Sequence, residues 1–183
     1  MGQQHSDKEI LDMYKEEASR NMALHHLIEK YQQKLYWQIR KIVIDHDDSD
    51  DVLQNTFIKV WKGLENFKED SQLFTWLYRI ATNEALTFLK QKQKRNTTSI
   101  HPIEYQLSKS IESDEYFKGD EIQLKLQQAI LTLPEKQRIV FNMRYYDEMP
   151  YEKMSEVLET SVGALKASYH HAAKKVEEFL LNR

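Results

Sequence analysis

Cysteine is absent from the 183 residues. That excludes disulfide bridges, thiolate metal centres and cysteine nucleophiles, and it accords with a reducing compartment. Glycine and proline are scarce, at 4 and 3 residues. So few glycines leave no room for a Gly-rich phosphate loop. There is no run of about 18 apolar residues, hence no candidate membrane-spanning helix. The opening MGQQHSDKEI is polar and lacks the apolar centre of a secretory signal. Gly2 and Ser6 match a myristoylation pattern too short to carry weight. An excess of positive charge is missing too: Lys+Arg total 26 against Asp+Glu 29, a net charge of −3. A protein that coats DNA would be basic overall. Nucleic-acid contact is therefore left to local basic patches, or to a partner that supplies much of the electrostatics.

What is abundant is Leu, Ile, Lys, Glu and Gln, with 30% of residues charged, the composition of an all-α protein. Apolar residues recur at intervals of three and four through Leu24, Leu27, Ile28, Tyr31, Leu35, Ile39 and Ile42, which predicts an amphipathic helix over 22–44. The acidic stretch 45–51 reads as a break. A second helix follows, with Leu53, Phe57, Val60, Trp61 and Leu64 on one side and Ser49, Asp50 or Asp51 as its cap. After a loop over 65–70, Ser71 is positioned to cap a third helix carrying Leu73, Phe74, Leu77, Ile80, Ala81, Ala85 and Phe88. That helix ends in Lys90, Lys92, Lys94 and Arg95, cations that any helix C-terminus favours. Trp61 and Trp76 suit a packed three-helix core.

Periodicity is lost over 96–119, a Ser-, Thr- and acid-rich linker in which Tyr105, Leu107, Tyr116 and Phe117 are positioned to dock. It returns at Asp120 with Ile122, Leu126, Ile130 and Leu133. Pro134 suits the first turn of the next helix, which carries Ile139, Val140, Met143 and Tyr146. The expected organisation is all-α: two small helical domains, 5–95 and 120–183, joined by a flexible linker over 96–119.

The C-terminal part has a helix over 151–158, a three-residue turn (Glu159, Thr160, Ser161) and a long helix from Val162 to about Leu180. This is the pattern of a helix-turn-helix. At 100° per residue, Leu165, Tyr169, Ala172 and Val176 face inward. Gly163, Lys166, Ala167, His170, His171 and Lys174 face outward, with Ser161 as the cap. Small residues at the exposed start permit close approach to a DNA groove, and Lys166 and Lys174 can reach phosphate or guanine. A plain helical hairpin with a solvated outer face fits the same pattern.

Three blocks resemble regions of the extracytoplasmic function (ECF) sigma factors. Asp50-Asp51-Val52-Leu53-Gln54-Asn55-Thr56-Phe57-Ile58-Lys59-Val60-Trp61 is similar to region 2.2. Phe74-Thr75-Trp76-Leu77-Tyr78-Arg79-Ile80-Ala81-Thr82-Asn83 is similar to regions 2.3 to 2.4. Leu133-Pro134 with Arg138, then Met149 to Met154 and Ser161 to Lys166, are similar to region 4. The order is the family's, and the resemblance covers nearly all the chain apart from the first 20 or so residues and the linker.

The resemblance implies a region 2-like bundle, a region 4-like helix-turn-helix and a non-enzymatic role. The protein would bind core RNA polymerase in the cytoplasm, at the largest-subunit clamp and the flap of the second subunit, and direct it to promoter DNA. Asp51, Gln54 and Asn55 become the polymerase-binding candidates. Arg79 and Asn83, one turn apart, become the −10 readers, with Lys90 on the basic run beside them. Lys166, Ala167, His170, His171 and Lys174 become the −35 candidates. The loop over 65–70 resembles one that pockets a flipped base, an extrusion that stacking must offset. Phe67 is its candidate aromatic or, equally, a buried staple. An anti-sigma factor is a further expected partner, and the acidic linker between two basic patches motivates a compact free state with its DNA surfaces covered.

Several residues depart from the family pattern. Glu159 stands where glycine is frequent in the turn, at a cost of about 1 kcal/mol if that position is left-handed. Ser155 replaces a small apolar residue, and Asn55 a frequent acid. Ser168, His171 and Ala173 stand where arginines are frequent. Leu77, Ile80 and Ala81 lie roughly where housekeeping sigma factors have aromatic wedges. No metal or cofactor is expected. A calcium loop begun at Asp45 would have Asp50 and Thr56 where Gly and Glu are required. The adjacent pairs His25-His26 and His170-His171 should split across helix faces. No catalytic constellation stands out. A conventional helix-turn-helix regulator acting without polymerase is the alternative, disfavoured by the net charge and the region 2-like blocks.

Overall fold

The computed structural model describes residues 5–95 and 121–181, and every regular element among them is helical. The chain is all-α, with two helical domains. The expected linker, with Tyr105, Leu107, Tyr116 and Phe117, lies outside the described residues.

The first domain contains α1 (Asp7–Lys15), α2 (Arg20–Val43), α3 (His46–Gly63) and α4 (Leu73–Arg95). Its core joins Leu27, Leu35 and Ile39 of α2, Val52 and Val60 of α3, and Leu77, Ala81 and Ala85 of α4. Three stripes at three-and-four spacing meet there, the arrangement their periodicity predicts. Two buried hydroxyls sit in this core without loss, because each donates to a carbonyl one turn back. Thr56 donates to Val52 O at 2.8 Å and Ser49 to Asp45 O at 2.5 Å. Gln38, also buried, donates through Nε2 to the Tyr78 carbonyl at 3.0 Å and to Thr82 Oγ1, pinning α2 to α4. Trp76 packs so close to the end of α3 that a β-carbon on Gly63 would come within 3.2 Å of its ring.

Helix α1 was not expected. Ser6 and Glu9 close a capping box: the Ser6 amide donates to Glu9 Oε2 at 2.7 Å, and the Glu9 amide to Ser6 Oγ at 3.3 Å. The backbone and side-chain bonds from Ser6 hold the Glu9 carboxyl below its usual range. Ile10 and Tyr14 then bury against the bundle.

The acidic stretch is not a break. Helix α3 starts at His46, and Asp45 is its cap, accepting from the Asp48 amide at 3.1 Å. Asp47 and Asp48 lie in the first turn, where carboxylates oppose the positive end of the helix dipole. The chain reverses instead at Ile44, whose φ of 73° and ψ of −46° put a β-branched residue at a positive φ that such side chains rarely adopt. The buried Ile44 side chain offsets that strain. Helix α4 begins at Leu73, so Ser71 lies two residues outside it and does not occupy the capping position.

The second domain contains α5 (Glu121–Leu131), α6 (Glu135–Tyr145), α7 (Tyr151–Leu158) and α8 (Val162–Leu181). Pro134 and Pro150 stand immediately before α6 and α7, where a missing amide hydrogen costs nothing. One part of its core joins Ala129, Ile130, Leu133, Phe141, Ala172 and Val176. Another joins Ile139, Val140, Met143, Met154, Val157 and Leu165, with Tyr78 of α4 inserted among them. Ile122 does not belong to either; it is 75% exposed. Glu159 adopts φ 50° and ψ 40°, the left-handed conformation that its place in the turn implied.

Candidate nucleic-acid interface

Three helical faces carry the candidate residues. On α3, Val52, Thr56 and Val60 turn inward, which leaves Asp51, Gln54 and Asn55 exposed on the other side. Ile58, one turn further along the same face, is 47% exposed. An isoleucine flanked by Gln54 and Asn55 makes an apolar centre with a polar rim, the anatomy of a protein-binding surface. The sequence reading placed Ile58 in a motif without giving it a role.

On α4, Arg79, Asn83 and Lys90 share one stripe and line a groove of about 460 Å³. Its opposite wall is the helix-turn-helix, through Val157, Leu158, Glu159, Ala164 and Leu165. Arg79 Nη1 lies 3.1 Å from Glu159 Oε1. Further along the basic run, Lys92 pairs with Asp48 of α3. Leu77 and Ala81 are fully buried and so face the core rather than this groove. Phe67 packs on Trp76 with ring centroids 5.0 Å apart and joins the first core, the staple rather than an open stacking platform.

Beside Arg79, the Tyr78 side chain is buried and its hydroxyl donates to Asp147 Oδ2 at 2.5 Å. Burial, then the charge of Asp147, hold this phenol well above its ordinary pKa. The other oxygen of Asp147 takes the Lys41 ammonium, and Asn142 Nδ2 donates to the Lys41 carbonyl at 3.2 Å. The turn after α6 is thereby tied to α2 and α4.

On α8, Leu165, Ala172 and Val176 are buried and Tyr169 is half-buried, its ring stacked 5.8 Å from Phe141. Lys166, Ala167, His170, His171 and Lys174 are exposed together on the outer side. Ser161 Oγ accepts from the Ala164 amide at 3.3 Å. A side chain on Gly163 would meet nothing within 4 Å, so packing does not demand glycine there. Two cations on this face already have local company: Lys166 Nζ sits 5.7 Å from the Tyr151 ring centre, and Lys174 is 3.9 Å from Glu178.

His25 and His26 do not split across faces. His25 Nε2 and His26 Nδ1 both reach Glu29, at 3.4 and 3.3 Å. Even so, among the described residues no group of His, Cys, Asp and Glu has the geometry to hold a metal ion. Among the same residues, no helix is long and apolar enough to cross a membrane.

Comparison with known proteins reproduces this division. The family model for sigma-70 region 2 matches residues 27–95, and that for sigma-70 region 4 matches residues 123–176. The RNA polymerase sigma-H factor of Pseudomonas aeruginosa is 31% identical over 97% of this chain and 95% of its own length. The ECF RNA polymerase sigma-E factor of Escherichia coli K12 is 28% identical over 85% of each. The chain belongs to the sigma-70 family, in its ECF group. As a sigma factor it binds core RNA polymerase and directs promoter recognition and the initiation of transcription.

Solved structures give the same fold at 20% identity. The sigma factor RpoE of Bartonella quintana, determined with the anti-sigma factor NepR, has a TM-score of 0.67 over 87% of this chain and 98% of its own. CnrH, determined with the cytosolic domain of CnrY, has a TM-score of 0.68 over 95% and 96%. In the present sigma factor the α3 and α4 faces fall within region 2, and the α8 face within region 4.

Proposed function

We propose that each of the three faces serves one partner. The outer face of α3, with Asp51, Gln54, Asn55 and the added Ile58, binds the clamp of the polymerase largest subunit. Arg79, Asn83 and Lys90 of α4 read the −10 element. Lys166, Ala167, His170, His171 and Lys174 of α8 read the −35 element, while region 4 rests on the flap of the second subunit. The domains act as units 5–95 and 120–183, joined by the linker 96–119. The protein works in the cytoplasm with no catalytic chemistry of its own. Because the similar RpoE structure holds the anti-sigma factor NepR, an anti-sigma partner is proposed here as well.

The observation that carries this reading is the coincidence of outward-facing side chains with matched regions: each face is solvent-side on a helix whose opposite stripe is core. The decisive experiment is run-off transcription with purified bacterial core polymerase on fragmented DNA from the source organism. Discrete transcripts that require both proteins are expected. Specific DNA binding without polymerase, and no such transcripts, would favour a conventional regulator.

Two substitutions separate the faces. Gln54→Ala should weaken binding to core polymerase, read as a raised dissociation constant, and leave the helical content unchanged. Lys166→Ala should weaken recognition of the −35 element by about 1–3 kcal/mol if the ammonium contacts a base edge. A uniform loss across unrelated sequences, with a shallower salt dependence, would reassign Lys166 to phosphate.

A further inference from the structure

We infer that Asp147 and Glu159 form an intramolecular latch that closes region 4 over the −10 face of α4, so that promoter DNA must displace the chain's own carboxylates. The inference rests on the proposed −10 role of Arg79 and Asn83.

Four observations carry it. First, Glu159 places a carboxylate oxygen 3.1 Å from Arg79 Nη1, occupying the guanidinium that would otherwise meet the −10 strand. Second, Glu159 does so from a left-handed backbone, φ 50°. Glycine would avoid that strain but would bring no carboxylate to Arg79. Third, Asp147 of region 4 engages two helices of region 2 at once, taking the Lys41 ammonium of α2 on one oxygen and the Tyr78 hydroxyl of α4 on the other. Fourth, Tyr78 is in region 2 by sequence yet packs with Ile139, Met149, Val157 and Leu165 of region 4, so the two domains share apolar surface.

Geometry makes the latched state incompatible with a bound promoter. The −10 and −35 elements are about 25 base pairs apart, roughly 85 Å along B-form DNA. Region 4 cannot reach the distant element while its α7 lies against α4. The latch is selective, however. Asp51, Gln54 and Asn55 remain exposed, as do Lys166, His170 and His171. The closed chain thus keeps its polymerase face and its −35 face free, while Arg79 is engaged by Glu159 and Asn83 lies in a groove walled by region 4. The Arg79–Glu159 pair is solvent-exposed on the Glu159 side, 77%, so salt screens it readily. The pair of Lys41 and Asp147, each about 21% exposed, is screened less.

The absence of cysteine allows two dyes to be attached to the full chain through Lys62→Cys and Glu177→Cys, both exposed positions. Energy transfer between them reads the separation of the domains. High transfer is expected for the otherwise unmodified chain at low salt. Asp147→Ala should shift the closed-to-open ratio toward open by roughly tenfold, the scale of losing hydrogen bonds to a charged group. Glu159→Gly relieves backbone strain, so its fold is secure, and it should open the chain by a smaller factor that vanishes at high salt. Transfer unchanged in both variants would overturn the latch. Failure of the −10 reading is distinguishable: the variants would still open, but Arg79 and Asn83 substitutions would not affect transcription.

Discussion

Ile39→Ala is expected to destabilise the first domain by about 2–5 kcal/mol, the cost of deleting a fully buried aliphatic side chain and leaving a cavity. Ile39 has no exposed surface and lies in the same core as Leu35, Val52, Leu77 and Ala85. A domain of this size has about 5–15 kcal/mol of stability in total. The thermal midpoint should therefore fall by more than about 10 °C. Ile58→Ala provides the contrast within the same helical bundle. Ile58 is 47% exposed, so its truncation should change stability by no more than about 0.5 kcal/mol while weakening attachment to core polymerase. Equal melting curves for Ile39→Ala and the unmodified chain would mean that the bundle is not closed around α2.

That contrast also marks how far the sequence could be read. Period decides which side of a helix is apolar, and it assigned Ile39 to the core, and Lys166 and His170 to the outer side of α8, correctly. It does not decide what covers an apolar stripe: Ile122 belongs to the returning period and is nonetheless exposed. Pro150 and the turn residues after Leu158 fixed α7 at Tyr151–Leu158. The start of α3 was misread because its first turn is built of acids, which look like a loop in composition but stabilise a helix N-terminus. Helix α1, nine residues with two buried side chains, is too short for periodicity to register; the Ser6–Glu9 spacing was the available signal. The family's glycine at the place of Glu159 raised a left-handed turn only as a condition, and the backbone there meets it.

The candidate site divides along the same line. Arg79, Asn83 and Lys90 fall on one stripe by spacing alone. Their facing wall could not be anticipated: Tyr78 meets Asp147 across 69 residues, and Lys41 meets it across 106. Pairing over such separations has no periodic trace in sequence. The acidic linker that motivated a compact state lies outside the described residues; among those described, the carboxylates that meet region 2 here are Asp147 and Glu159 of region 4.

Asn83→Ala and Arg79→Ala should each lower promoter-directed transcription by roughly tenfold or more, the loss expected when one side-chain contact to a base is removed. Binding to core polymerase should persist in both, because α3 presents Asp51, Gln54 and Asn55 away from this groove. The pair is informative because the two residues differ in the closed state. Arg79 is held by Glu159, whereas Asn83 lines the same groove and is exposed. Asn83→Ala therefore removes a reading contact and leaves the Arg79–Glu159 pair in place. Arg79→Ala removes a reading contact and weakens closure together, so part of its loss should be returned as easier opening. Transcription should thus fall further in Asn83→Ala, relative to the DNA contact it deletes, than in Arg79→Ala. Adding Glu159→Gly to each separates the two terms. It should raise transcription in the Asn83→Ala background by releasing Arg79, and it should do little in the Arg79→Ala background, where the carboxylate has already lost its partner. Equal transcription from the unmodified chain and Asn83→Ala would remove α4 from −10 recognition.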